Sequence, residues 1–170
     1  MLTAQNIVVA VALLLLVWYF AGAYSNRQRA AVLIRDLREA LSGAGTNLTI
    51  AWHGRSAFQI TVGQPFSPLT GLQAFCLLEP REFALALAWN RLKGRRDQVL
   101  LGAACAEPLP AVASLPPAAY GIPGLSALEV YAEAPHLRLT LQVGVGNEGA
   151  IGQAVALVQQ MPTKKQKATR

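Results

Sequence analysis

The spacing most suggestive of chemistry is Gly144-Val145-Gly146-Asn147-Glu148-Gly149, a G-x-G-x-x-G set between a strand pattern and a helix pattern. Such glycines let backbone approach a pyrophosphate at a helix N-terminus, which is dinucleotide chemistry. Here Glu148 would put a negative charge beside the phosphates, the residues roughly 20 positions on belong to a basic tail, and no second parallel strand follows. The stretch therefore reads as a glycine-rich strand-to-helix turn. His53 and His136 lack a Cys or His partner at ligand spacing, and Cys76 and Cys105 form no C-x-x-C, so no metal site is expected. Ser56, Ser67, Ser114 and Ser126 sit in no G-x-S-x-G elbow. Glu79 and Glu82 flank Pro80, where a helix is expected to open, and read as partners of its dipole rather than as paired catalytic carboxylates. Without a spaced catalytic set the chain reads as a non-enzyme, with no cofactor and no small-molecule substrate expected.

Charge carries more information. The formal net charge is +6. It is concentrated in two places: Arg91, Lys93, Arg95 and Arg96 against Asp97 give +3, Lys164, Lys165, Lys167 and Arg170 give +4, and the rest of the chain sums to −1. Part of the first cluster fits a solvated helix end whose cations favour the negative dipole. As contact sites, both clusters suit phosphates, either of anionic lipid headgroups, at ~1 kcal/mol per basic residue near the surface, or of a ribosomal RNA backbone. Aromatic residues do not interleave with the basic ones, so single-strand base stacking is not expected, and neither is DNA binding.

The elements that position these residues begin with an apolar segment. No Lys, Arg, Asp or Glu occurs from Met1 to Asn26, and Asn6 to Tyr24 is long enough at 1.5 Å per residue to match a ~30 Å hydrocarbon core. Trp18, Tyr19 and Tyr24 fall at its C-terminal end, followed by Arg27 and Arg29; these five are the expected membrane-interface anchors. Ala21-Gly22-Ala23 resembles a signal-peptide cleavage site, but no basic n-region precedes it, and Arg27 and Arg29 oppose export. The expectation is an uncleaved span, N-terminus out, in an inner, plasma or endoplasmic-reticulum membrane, with the domain cytoplasmic. The cysteines would then stay reduced, and the glycosylation triplet Asn47-Leu48-Thr49 would be chance.

With 53% hydrophobic and 14% charged residues, the chain is too apolar for disorder, and about 145 residues beyond the span suffice for one domain. Ala30, Leu33, Ile34, Leu37 and Leu41 recur at helical spacing up to Gly43. Leu48 to Trp52 and Phe58 to Val62 alternate as a hairpin with one buried face. Leu72 to Leu78 and Val99 to Ala104 read as strands covered on two sides. Between them Pro80 is expected to open a helix with the stripe Leu85, Ala88, Trp89 and Leu92, closed by Arg91, Lys93 and Gly94. Five of the ten prolines lie in 106–124, a stiff connector. Strands at Leu128–Val130 and Leu137–Val143 follow, then a helix opened by Asn147 and Glu148, with the stripe Ile151, Ala154, Val155 and Val158, ended by Pro162. The fold class is α+β: a membrane helix (1–25), one mixed domain (26–161) with a mainly antiparallel sheet covered by helices, and a basic tail (162–170).

In their order these segments resemble the calumin family, single-span coiled-coil membrane proteins of the endoplasmic reticulum that work with the multi-pass translocon. The similarity covers about residues 15–105: the span followed by Ser25-Asn26-Arg27-Gln28-Arg29-Ala30, Gly54-Arg55 before the Phe58 to Val62 strand, Pro80-Arg81-Glu82 opening a helix, and Arg96-Asp97-Gln98-Val99 entering the next strand. The family's acidic lumenal region and long charged coiled coil have no counterpart here, so calcium binding does not carry over. The resemblance implies a factor in membrane-protein biogenesis whose cytoplasmic domain contacts translocon, ribosome or lipid. The alternative is an accessory or assembly subunit of a stable membrane complex, for example an energy-transducing one. Both have an integral membrane protein as partner.

Overall fold

The computed structural model describes residues 3–106, 116–144, 147 and 149–168, with side chains as far as Met161. Between Asn6 and Leu41 there is no proline and one glycine, so nothing interrupts helix propagation. The span and the amphipathic helix accordingly form one helix, α1 (Ala4–Ser42), of 39 residues and about 58 Å in length. The boundary expected at residue 25 falls inside it. Thr3 caps its start by accepting from the Asn6 N–H. The large apolar side chains from Ile7 to Phe20 stand exposed. From Gly22 onward one stripe is buried: Gly22, Asn26, Ala30, Leu33, Leu37 and Leu41, three or four residues apart and so on one face.

Six strands follow: β1 (Gly45–Trp52), β2 (Ala57–Pro65), β3 (Leu69–Leu77), β4 (Asp97–Cys105), β5 (Leu125–Val130) and β6 (Leu137–Val143). A helix α2 (Ala84–Leu92) joins β3 to β4, a 3-10 turn (Pro117–Tyr120) precedes β5, and α3 (Gly149–Ala168) closes the described chain. The sheet is antiparallel throughout, in the order β1-β2-β3-β4-β6-β5. Register pairs Phe58 with Cys76, Cys76 with Val99 and Val99 with Leu141, a row of buried side chains across the centre. The C-terminal half of α1 and the stripe Ile151, Ala154, Val155 and Val158 of α3 share this core. The fold is α+β.

Three details depart from the expectation. The runs in β3 and β4 are covered by helices on one face alone. Their outer face carries Gln73, bonded at 3.0 Å to Gln59 of β2, half-buried Phe75 against the His53 ring, and Leu77 at 40% exposure. Gly102 of β4 is shielded there by Gln73 and Pro135 rather than by a helix. Pro80 does not open a helix: Glu79 to Phe83 form tight turns, Arg81 N–H to Glu79 O and Phe83 N–H to Pro80 O, and α2 begins at Ala84. Helix α3 runs on through Pro162 to Ala168, so the proline expected to end it lies inside it. Residues 107–115 of the connector, and Val145, Gly146 and Glu148 of the glycine-rich turn, lie outside the described residues.

Cys76 and Cys105 are both free and buried. Cys105 pairs across the sheet with Leu69, seven positions along β3 from Cys76, so roughly 20 Å of strand separates the thiols, far beyond disulfide reach.

Candidate functional site

The junction where α1 enters the domain is built from polar groups that the apolar stripe would not ordinarily admit. Asp97, the first residue of β4, is in phase with Val99 and Leu101 and therefore points to the covered face, where it is 2% exposed. Its carboxylate accepts from the Glu79 N–H at 2.8 Å, from Arg81 Nη2 at 3.0 Å and from Arg29 Nε at 3.2 Å. Arg29 also donates to the Gly144 carbonyl, at 3.1 Å. Arg81 reaches back to Asn26 Oδ1 at 2.8 Å, and the Asn26 amide donates to Glu82 at 2.7 Å. Ser56 donates to the other oxygen of Glu82. Two partly buried cations and three buried carboxylates are thus held together with nearly every polar atom bonded, the condition under which buried charge is tolerated. Glu79 Oε1 is buried without a hydrogen-bond partner, and Arg96 stands 3.8 Å from it.

Backbone contact closes the same junction. Trp18 Nε1 donates to the Arg81 carbonyl at 3.1 Å. A Cβ on Gly22 would lie 2.3 Å from that carbonyl oxygen, so only glycine lets the 81–82 backbone touch α1. The turn between β1 and β2 comes to the same level: Arg55 donates to the Tyr19 hydroxyl and lies over its ring. Between this turn and α1 a groove of about 790 Å³ opens, lined mainly by apolar atoms of Phe20, Ala23, Ile34 and Trp52.

The expected interface anchors divide. Tyr24 and Arg27 are exposed, and Trp18 and Tyr19 lie at the junction. Arg29 is turned inward: its side chain is 16% exposed and bonded to Asp97, because a guanidinium fits the buried carboxylate better than it fits water at that height. Of the first basic cluster, Arg91 and Arg96 stand beside Glu79 at 3.9 and 3.8 Å, Lys93 lies over the Trp89 ring at 4.5 Å, and Arg95 and Arg96 line a smaller cleft with Glu79 and Gln98. The side chains of Lys164, Lys165 and Lys167, and Arg170 entirely, lie outside the described residues.

Asn26, Ser56, Arg81, Glu82 and Asp97, which sequence reasoning did not join into a site, make the junction. Two of them were legible as polar residues in phase with an apolar pattern, Asn26 four positions before Ala30 and Asp97 two before Val99. Glu82 is no dipole partner: α2 has no acidic residue in its first turn, and the carboxylate is bonded to Asn26 and Ser56. The expected apolar stripe of α2 also faces outward, with Leu85 88%, Trp89 59% and Leu92 83% exposed and Leu87 buried instead.

Among the described residues, no group of three or more His, Cys, Asp or Glu is placed to hold a metal ion. Burial, with a smaller contribution from Asp97, pushes the Cys76 thiol up to about 12, and burial also raises Cys105, so neither thiol is a ready nucleophile. The carboxylates of the junction are held by Arg29, Arg81, Asn26 and Ser56, and the groove beside them is lined mainly by apolar atoms. No family model matches the chain, and no curated protein is significantly similar to it.

Proposed function

We propose that the protein is a single-pass membrane protein whose domain stands on the cytoplasmic face and receives an integral membrane partner, as a non-enzymatic factor in membrane-protein biogenesis. The observation that carries this reading is the unbroken helix α1. It is long and apolar enough in its first part to cross a membrane, and it continues into the core of the domain. A flexible linker would let the domain wander; a helix clamped by Asn26, Arg29, Arg81, Glu82 and Asp97 holds it at one height and one rotation. Fixed placement is what a factor needs if it is to present an apolar groove to a neighbouring membrane segment. The resemblance of its segment order to that of the calumin family points the same way. Arg27, Arg35 and Arg38, following an uncharged stretch, favour the cytoplasmic side for the domain.

A photo-crosslinking residue at Trp52 or Ala31, both exposed at the groove, combined with affinity purification of the full chain in detergent, tests the proposal. Expected are sub-stoichiometric membrane-protein adducts, with ribosome or translocon components lost as salt rises. A fixed set of subunits that survives high salt would replace this reading with that of an accessory subunit. Recovery of the chain alone would remove both.

A further inference from the structure

Helix α2 presents Leu85, Trp89 and Leu92, at i, i+4 and i+7, on one face, and among the described residues these side chains are 88%, 59% and 83% exposed. Large apolar side chains are stabilised by leaving water, so an exposed apolar stripe on one helix face implies an occupant. The height of α2 along α1 identifies it. The loop that starts α2 is fastened to the last turns of the apolar stretch: Arg81 by the Trp18 indole, Phe83 edge-on to Tyr19 at 6.4 Å, and Arg81–Glu82 backbone on Gly22. A hydrocarbon core of ~30 Å requires about 20 residues of α1, which is the length from Ala4 to Ala23. Trp18 to Gly22 therefore lie within the inner boundary of any bilayer that α1 crosses, and the start of α2 lies beside them.

We infer that α2 is an interfacial helix lying in the inner headgroup region of that bilayer. Phe83, Leu85, Trp89 and Leu92 sink to the acyl boundary, and Arg91 and Lys93 meet anionic lipid phosphates. Phe83, exposed at the start of α2, meets the Tyr19 ring, which in turn meets exposed Phe20 at 5.6 Å, so lipid that covers the end of the apolar stretch of α1 reaches the start of α2. Trp89 with Lys93 over its ring is the pairing of amphipathic aromatic and snorkelling cation that suits this depth. The domain is then held by two elements, a span and a float, which fixes its tilt as well as its height. The inference rests on α1 crossing the membrane.

The test uses the full chain reconstituted into phosphatidylcholine vesicles with or without phosphatidylglycerol, carrying an environment-sensitive fluorophore on a single introduced cysteine. Cys76 and Cys105 are buried and leave an introduced exposed cysteine as the labelled one. L14C reports the span, L85C and L92C report α2, and Q153C, exposed on α3, reports the aqueous side. Spin-labelled lipids with deep nitroxides should quench L14C, those with shallow nitroxides should quench L85C and L92C, and Q153C should stay unquenched. Quenching at α2 should increase with phosphatidylglycerol, and this increase should vanish when Arg91→Ser and Lys93→Ser are combined. L14C quenched with L85C and L92C still water-exposed would overturn the inference while leaving the span intact, and would assign the α2 face to a protein. L14C unquenched would overturn the membrane reading itself and this inference with it. A phosphatidylglycerol effect unchanged in the double variant would remove the two basic residues from the contact.

Discussion

Asp97 shows how much one side chain can decide. Removing it leaves two guanidinium groups and the Glu79 N–H without their shared acceptor in a mostly buried site, at a cost of up to about 3–5 kcal/mol, since Arg29 and Arg81 keep other acceptors. Asp97→Ala should lower the thermal unfolding midpoint of the detergent-solubilised chain by that equivalent. Asp97→Asn, which keeps one acceptor oxygen, should cost less. Equal losses in the two variants would mean that the negative charge facing Arg29 and Arg81, and not the acceptor for the Glu79 N–H, is what matters. Cys76 gives a second handle. Its pKa is raised from 9.0 to about 12 in the folded chain, chiefly by burial and then by Asp97. The unfolded chain therefore gives up this proton first as pH rises, so stability is intact below pH 9 and is lost progressively between 9 and about 12. Cys76→Ala should flatten that alkaline decline in a pH series of unfolding midpoints, and an unchanged slope would count against it.

Among the elements, α1 has two environments in one helix, and Gly22 marks the change. Gly22→Ala sets two effects against each other. Alanine favours the helix by ~1 kcal/mol, but its Cβ would fall 2.3–2.6 Å from the Arg81–Glu82 backbone, distances that require the loop to move. The clash outweighs the gain, since the atoms met are backbone and not the end of a flexible side chain. Gly22→Ala should leave α1 helical by circular dichroism yet expose the 79–83 loop to protease and lower the unfolding midpoint. A rise in the midpoint would show that the loop yields freely. The exposed stripe of α2 behaves differently: Leu85 or Leu92 replaced by Ser should leave stability in detergent nearly unchanged, because neither side chain is covered by the chain itself.

For the whole molecule, with α1 proposed to cross a membrane, the question is which side holds the domain. The charge-free stretch before Asn26 and the arginines after it predict the cytoplasm. A C-terminal tag should survive protease added to intact spheroplasts. Asn47, in the acceptor triplet Asn47-Leu48-Thr49, is exposed on edge strand β1, so it would be reachable by a glycosylating enzyme were the domain on the other side. Modification of Asn47 in a eukaryotic host, or loss of the tag in spheroplasts, would reverse the orientation. The two basic clusters fit the same picture, although the first is partly spent within the molecule, since Arg91 and Arg96 stand near Glu79.

Periodicity by itself determined most of the elements: the apolar span, the stripe Ala30, Leu33, Leu37 and Leu41, the hairpin, the β5–β6 pair and the stripe of α3. These are legible because a side chain's direction repeats every 3.6 or 2 residues, so local order records which face is covered. What covers that face is a non-local matter, and there tertiary structure decided. An apolar stripe reads the same whether core or lipid lies against it, and for α2 the core is not there. A polar residue in phase with an apolar run reads as an exception until its partner arrives from elsewhere. Asn26, Glu82 and Asp97 lie far apart in sequence and become one junction only when β4 enters the sheet beneath α1. The direct approach of the 81–82 backbone to Gly22 is likewise a meeting of distant segments, and no spacing within either segment encodes it.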